Sequence, residues 1–191
     1  MAAKIILGID PGSRTTGYAV LTVENRIFKA VECDVIRMAH LEDQTERLRY
    51  IYQAVIEILR KHNPSHCAVE TPVYGVDPLA MLKLGRAQAA ALLAISNQGI
   101  PVAEYYPKAV KKAVVGNGNA SKKQVAFMLD KLVRLPDEKL SADATDALAV
   151  AWCHFTAIES SGTLKSAKKH HQNNRKSSWK AFVEDNPDRI T

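Results

Sequence analysis

The sequence predicts an α/β fold: a mixed five-stranded sheet, three antiparallel strands followed by two parallel ones, with helices on both faces. Three observations carry that reading. Three β-rich runs precede the first amphipathic stretch, which suits an antiparallel meander. Beyond it, short apolar runs alternate with helical periods, as when strands are added in parallel through crossover helices. The first run, 4–10, is apolar almost throughout, as a central strand covered on both faces must be.

The elements follow in order. Pro11-Gly12 stops the first strand. Runs 16–23 and 27–38 are the next two, with Glu24-Asn25 as the hairpin turn. Leu48, Ile51, Tyr52, Val55, Ile58 and Leu59 then recur at helical spacing, and Asn63-Pro64 ends that helix. A short strand, 66–70, is closed by Thr71-Pro72. Residues 77–97 form a long Ala-rich helix stopped by Gly99, and 100–105 is the last strand. Three helical segments, 107–115, 121–134 and 141 to about 159, complete the body.

Composition narrows the class. With 191 residues and 47% apolar content, the chain can bury a core without staples. The net charge of +6 favours a polyanionic partner. Cys33, Cys67 and Cys153 are odd in number and form no CxxC pair, so neither a disulfide framework nor a zinc ribbon is supported. Residues 1–12 lack a signal-peptide pattern, and the longest apolar run, 89–95, is too short to cross a bilayer. A soluble, reduced, cytoplasmic protein with no membrane contact is expected. From 161 onward there are seven Lys/Arg against three Asp/Glu and no sustained period. The chain therefore reads as a domain over 1–160 and a basic, flexible extension over 161–191, with a short helix at 177–183 as the alternative for its apolar pair Trp179 and Phe182.

Four carboxylates stand out by position. Asp10 and Glu70 each end an otherwise apolar strand. Asp143 and Asp146 lie three apart at the start of the last helix, on a face that continues into Ala147, Val150 and Ala151 and so points at the sheet. If the first and fourth strands are neighbours, all four converge. Carboxylates that close do not all stay ionised without a cation, and oxygen-only ligands select a hard divalent ion, Mg²⁺ or Mn²⁺. Two such ions, about 4 Å apart, clamp the attacking and leaving oxygens of a phosphodiester. Taken singly, each acid also fits a plainer role, as a turn-former or as a helix-dipole charge.

The run IILGIDPGSRTTGY (6–18) and Ala68-Val69-Glu70 resemble the RuvC family of Holliday-junction resolvases. So do Leu82-Lys83-Leu84-Gly85, Val110-Lys111, Val114-Val115-Gly116 and Ala142-Asp143-Ala144-Thr145-Asp146-Ala147-Leu148-Ala149. The ordered set covers 4–155. The resemblance implies an RNase H-like fold. It also implies a Mg²⁺-dependent endodeoxyribonuclease of recombination and repair, with two ions per site and Mn²⁺ as a substitute. Such a homodimer nicks four-way junction DNA symmetrically, leaves 5′-phosphate ends and works with the RuvA–RuvB branch-migration complex. It places the catalytic and metal-binding acids on Asp10, Glu70, Asp143 and Asp146. Relatives with an aromatic wedge carry Phe where this chain has Val73, so Tyr74 is either a replacement wedge or an ordinary loop tyrosine.

Seven Lys/Arg against Asp130 alone make 108–134 the most basic part of the body. The loop 115–119 enters a helix, so its free N–H groups either meet phosphate or form a capped turn. Lys111 and Lys122 match basic positions of the family. Lys123, Arg14 (with Ser13), Lys83 and Arg86 complete the candidate DNA contacts. The small residues of the Ala-rich helix suit a dimer surface or intramolecular packing. His62 and His66 read as surface residues, and His154 as too distant to share the ion. An RNA-processing RNase H-like nuclease, an actin-type ATPase and a non-catalytic DNA binder are the competing readings. The ATPase needs a second phosphate loop and a second domain, for which the chain is too short.

Overall fold

The computed structural model describes residues 3–73, 75 and 77–167, with side chains up to 160. Tyr74 and the 177–183 segment lie outside the described residues. The chain divides into units Met1–Ile158 and Glu159–Thr191, and the five-stranded sheet belongs to the first.

β1 (Lys4–Asp10), β2 (Thr15–Glu24) and β3 (Ile27–Arg37) form the antiparallel meander. After α1 (Gln44–His62), β4 (His66–Glu70) joins β1 in parallel; after α2 (Pro78–Asn97), β5 (Val102–Tyr105) joins β4 in parallel. The sheet order is β3-β2-β1-β4-β5. α3 (Pro107–Val115), α4 (Lys122–Leu132) and α5 (Ala142–Ala167) follow. The predicted mixed sheet is the observed one.

Strand alternation sorts the core into two layers. Ile6, Ala19, Leu21 and Ala68 face one way, onto Val110, Val114, Val125 and Leu129 of α3 and α4 and onto Ala147, Leu148 and Ala151 of α5. Leu7, Ile9, Val20, Cys67 and Val69 face the other way, onto Ile51, Val55 and Leu59 of α1 and Ala87, Ala91 and Ala94 of α2. α2 is long and apolar enough, by length and composition, to cross a bilayer; here its alanine face packs on α1.

Local signals set the ends. Asp43 caps α1 by accepting from the Glu46 N–H, and Asn63 closes it in the left-handed region at φ 46°. Ser121 and Gln124 form a reciprocal capping box on α4. Several boundaries differ from expectation, the largest at α5, which runs to Ala167 rather than ending near 159 and so enters the segment read as an extension. The hairpin turn is Asn25-Arg26, both with positive φ (49° and 63°), as a type I′ turn requires. Pro101 precedes β5 rather than sitting inside it. α4 stops at Leu132 because Arg134 exchanges backbone hydrogen bonds with Phe28 and Ala30 on β3. Trp152 belongs to the core: it is buried, donates to the Ala113 carbonyl at 3.3 Å and packs edge-on to Phe28.

Candidate active site

The β1–β4 register pairs Ile9 with Val69, so the next residues, Asp10 and Glu70, leave the sheet side by side on the α5 face. Just past Asp10, Gly12 and Thr16 bind each other: the Thr16 hydroxyl accepts from the Gly12 N–H and donates to its carbonyl, both at 3.2 Å. Beyond Glu70, the Thr71 N–H donates to the Tyr105 carbonyl at 2.8 Å. Both acids thus stand between a strand and a pinned turn.

Two glycines let α5 reach them. A Cβ on Gly8 would stand 2.2 Å from the Ala147 carbonyl oxygen, and one on Gly17 2.0 Å from that of Asp143. Gly17 is the cross-strand partner of Asp10. The bare β2 backbone therefore lays the first turn of α5 against Asp10. Ser141 caps that turn, its hydroxyl accepting from the Ala144 N–H at 3.2 Å.

The result is a cavity of about 430 Å³ lined by Asp10, Glu70, Asp143 and Asp146 together with Lys111 and Lys122. Burial, with Asp146 next in weight, pushes the Asp10 carboxyl up to about 7 against the pull of Lys122. Burial and then Asp10 push Glu70 up to about 7 as well. Lys122 donates to Asp146, and that bond raises its own pKa. Negative charge thus exceeds what the two lysines neutralise. A donor set of carboxylate oxygens around such a deficit fits a hard divalent cation. Among the described residues no three His, Cys, Asp or Glu side chains are already spaced around one ion; a cation would have to draw the acids inward.

The remaining candidates lie elsewhere. Lys123 is exposed and faces a neighbouring hollow. Lys83 and Arg86 are exposed on α2, and Arg14 is exposed after β1; none lines the cavity. Val73 does line it. The 115–119 loop is a capped turn: Gly116, at φ 76°, closes α3, and the Asn117 side chain accepts from the Asn119 N–H.

The histidines correct the surface assignment. His62 is half-buried and its Nε2 lies 2.8 Å from Glu32. Burial opposes ionisation of Glu32, yet hydrogen bonds from Lys61, Tyr18 and His62 bring its pKa down to about 2. His66 is half-buried against His154, with ring centroids 5.6 Å apart. Burial and His66 push buried His154 down to about 4, and its Nδ1 meets the Tyr105 hydroxyl at 2.9 Å. It does not line the cavity.

Sequence reasoning missed Gln88. This buried side chain on α2 donates to Glu104 at 2.6 Å and to the Thr71 hydroxyl at 3.3 Å, bracing the residue after Glu70. The one available signal was a polar residue on the alanine face of that helix.

The profile of the family described as crossover junction endodeoxyribonuclease RuvC matches residues 6–154. The crossover junction endodeoxyribonuclease RuvC of Salinibacter ruber is 45% identical over 187 residues, covering 98% of this chain and 99% of that protein. The structure of T. thermophilus RuvC in complex with a Holliday junction substrate superposes with a TM-score of 0.76 at 30% identity, covering 83% and 96% of the two chains. Yeast mitochondrial Ydc2, a Holliday junction resolvase, shares the fold, with a TM-score of 0.62 at 16% identity over 85% of this chain and 86% of its own. Together with the RNase H-like sheet, a match of this extent decides the assignment: the chain belongs to the crossover junction endodeoxyribonuclease RuvC family.

Proposed function

We propose that this protein resolves four-way DNA junctions by paired symmetric nicks, as a homodimer using Mg²⁺, with Mn²⁺ as a substitute. The observation that carries the reading is the shared cavity of Asp10, Glu70, Asp143, Asp146, Lys111 and Lys122. The four acids would hold two hard cations. Bound there, the ions would supply Lewis-acid charge to the scissile phosphate and a more acidic water as nucleophile. The chain's own groups do the rest. The pinned turns after Asp10 and Glu70 fix where the carboxylates stand. Lys122, now on Asp146, and Lys111 bring ammonium charge to the phosphate as negative charge develops on it. The products would carry 5′-phosphate ends.

Dimerisation fits the substrate, because a two-fold enzyme can cut two related strands. The exposed Leu82 and Leu93 of α2 suit that contact. Lys123, Arg14, Lys83 and Arg86 are exposed and would extend the DNA surface. Partnership with a RuvA–RuvB branch-migration complex follows from the family alone. The test is cleavage of a synthetic four-way junction and of a linear duplex of the same sequence, in Mg²⁺ and in EDTA. Junction-selective paired nicks that need Mg²⁺ support the reading. Equal cutting of the duplex, or cutting in EDTA, overturns it.

A further inference from the structure

A second hollow, of about 500 Å³, opens between the end of α3, the loop after it and the start of α4. Val115, Ala120, Phe127 and Met128 form its apolar wall, and Lys123 stands on its rim. Phe127 is 63% exposed. The Lys131 ammonium sits 5.5 Å from the centroid of its ring. So large an apolar ring in water, set among ammonium groups, is the composition of a stacking platform for nucleic acid.

The hollow and the acid-lined cavity are lined by neighbouring residues of the same two helices. Lys111 lines the cavity, and Val115, one helical turn further along the same face of α3, lines the hollow. Lys122 lines the cavity, and its neighbour Lys123 lines the hollow. A strand that leaves the acids along α4 runs toward this ring. In a duplex both faces of a base are covered by its neighbours, so an aromatic platform selects bases that have left the stack.

We propose that this hollow receives an unstacked base of the cut strand next to the scissile phosphate. Phe127 packs on the face of the base, and Lys123 pairs with the adjoining phosphate. The proposal rests on the nuclease reading above and adds a specificity residue to it, since an intact duplex has no free base to offer.

The test uses four-way junctions carrying 2-aminopurine, which brightens on leaving the stack, at each of the three nucleotides on either side of the nick. Binding is read in Ca²⁺ and single-turnover cleavage in Mg²⁺, with wild type, Phe127→Ala, Phe127→Tyr and Lys123→Ala. Wild type should brighten one position, and Phe127→Ala should lose that signal. Phe127→Ala should also weaken junction binding or cutting about tenfold, the scale of one base–aromatic stack, and Phe127→Tyr should restore cutting. Lys123→Ala should weaken binding without removing the fluorescence change. A wild type that cuts junctions, alongside a Phe127→Ala that matches it in both signals, overturns this proposal and leaves the nuclease reading intact. A wild type that cuts no junction overturns both. Sedimentation of Phe127→Ala supplies the last arm: altered self-association with unchanged DNA signals assigns the hollow to protein and overturns the proposal.

Discussion

Gly17 and Asp143 meet backbone to backbone: a methyl group on Gly17 would stand 2.0 Å from the Asp143 carbonyl oxygen. The contact sets how closely the acids of α5 approach Asp10, which pairs with Gly17 across the sheet.

Gly17→Ala should therefore damage stability and site together. The clash is with backbone, which has no rotamer to change. We expect a loss of about 1–3 kcal/mol or more in thermal or urea unfolding, and junction cleavage reduced even where the protein remains folded. An unchanged melting temperature would contradict the packing described.

Asp10 supplies a pH signature in the metal-free protein. Burial holds its folded pKa at about 7, above the ordinary aspartate value of 3.8, so the native state binds its proton more tightly than the unfolded chain does. That favourable contribution is complete below about pH 4 and disappears as the pH rises to about 7. Asp10→Asn removes this share of the dependence, while buried Glu70 keeps its own. Relative to wild type it should gain nothing near pH 4 and on the order of 2–4 kcal/mol above pH 7. Urea unfolding across that range, in EDTA, checks the difference; a gap independent of pH would refute the buried-charge account.

Gln88 should act through Thr71. Gln88→Leu keeps much of the volume but removes the amide that donates to both Glu104 and the Thr71 hydroxyl, leaving Glu104 only the long 3.4 Å bond from that hydroxyl. We expect a stability loss of about 1 kcal/mol and a lower cleavage rate with junction affinity retained, read by single-turnover kinetics and gel shift. Equal loss of affinity and rate would make Gln88 merely structural.

The basic surface should show in salt. If a dimer neutralises about six phosphates, log K for junction binding should fall against log salt with a slope of roughly −5. A slope near zero would remove the proposed role of Lys111, Lys122 and Lys123.

Much of this was legible in sequence, for physical reasons. Apolar strands flanked by crossover helices admit few sheet orders, so the pattern placed Asp10 and Glu70 at strand ends and left their adjacency as a condition that the β1–β4 pairing meets. The helical spacing of Asp143 and Asp146 placed both on the inward face. What stayed hidden depends on distant partners. The roles of Gly8 and Gly17 exist only once α5 has docked. His62 looks like a surface residue until Glu32, thirty positions away, is beside it. Positive charge alone did not separate Lys122, in the cavity, from Lys123, Lys83, Arg86 and Arg14, outside it. Phe127 carried no periodic signal, because one aromatic residue on the outer face of a helix breaks no pattern that folding needs.

The central claim is that widely separated acids form one hard-ion site for cutting DNA. Its most direct test is single-turnover cleavage of a four-way junction in Mg²⁺ by Asp10→Asn, Glu70→Gln and Asp143→Asn, each first shown to bind the junction in Ca²⁺. Each should bind like wild type and cut on the order of 10³-fold more slowly, the loss of about 4 kcal/mol of transition-state stabilisation. Normal cutting by any one of the three would contradict the account.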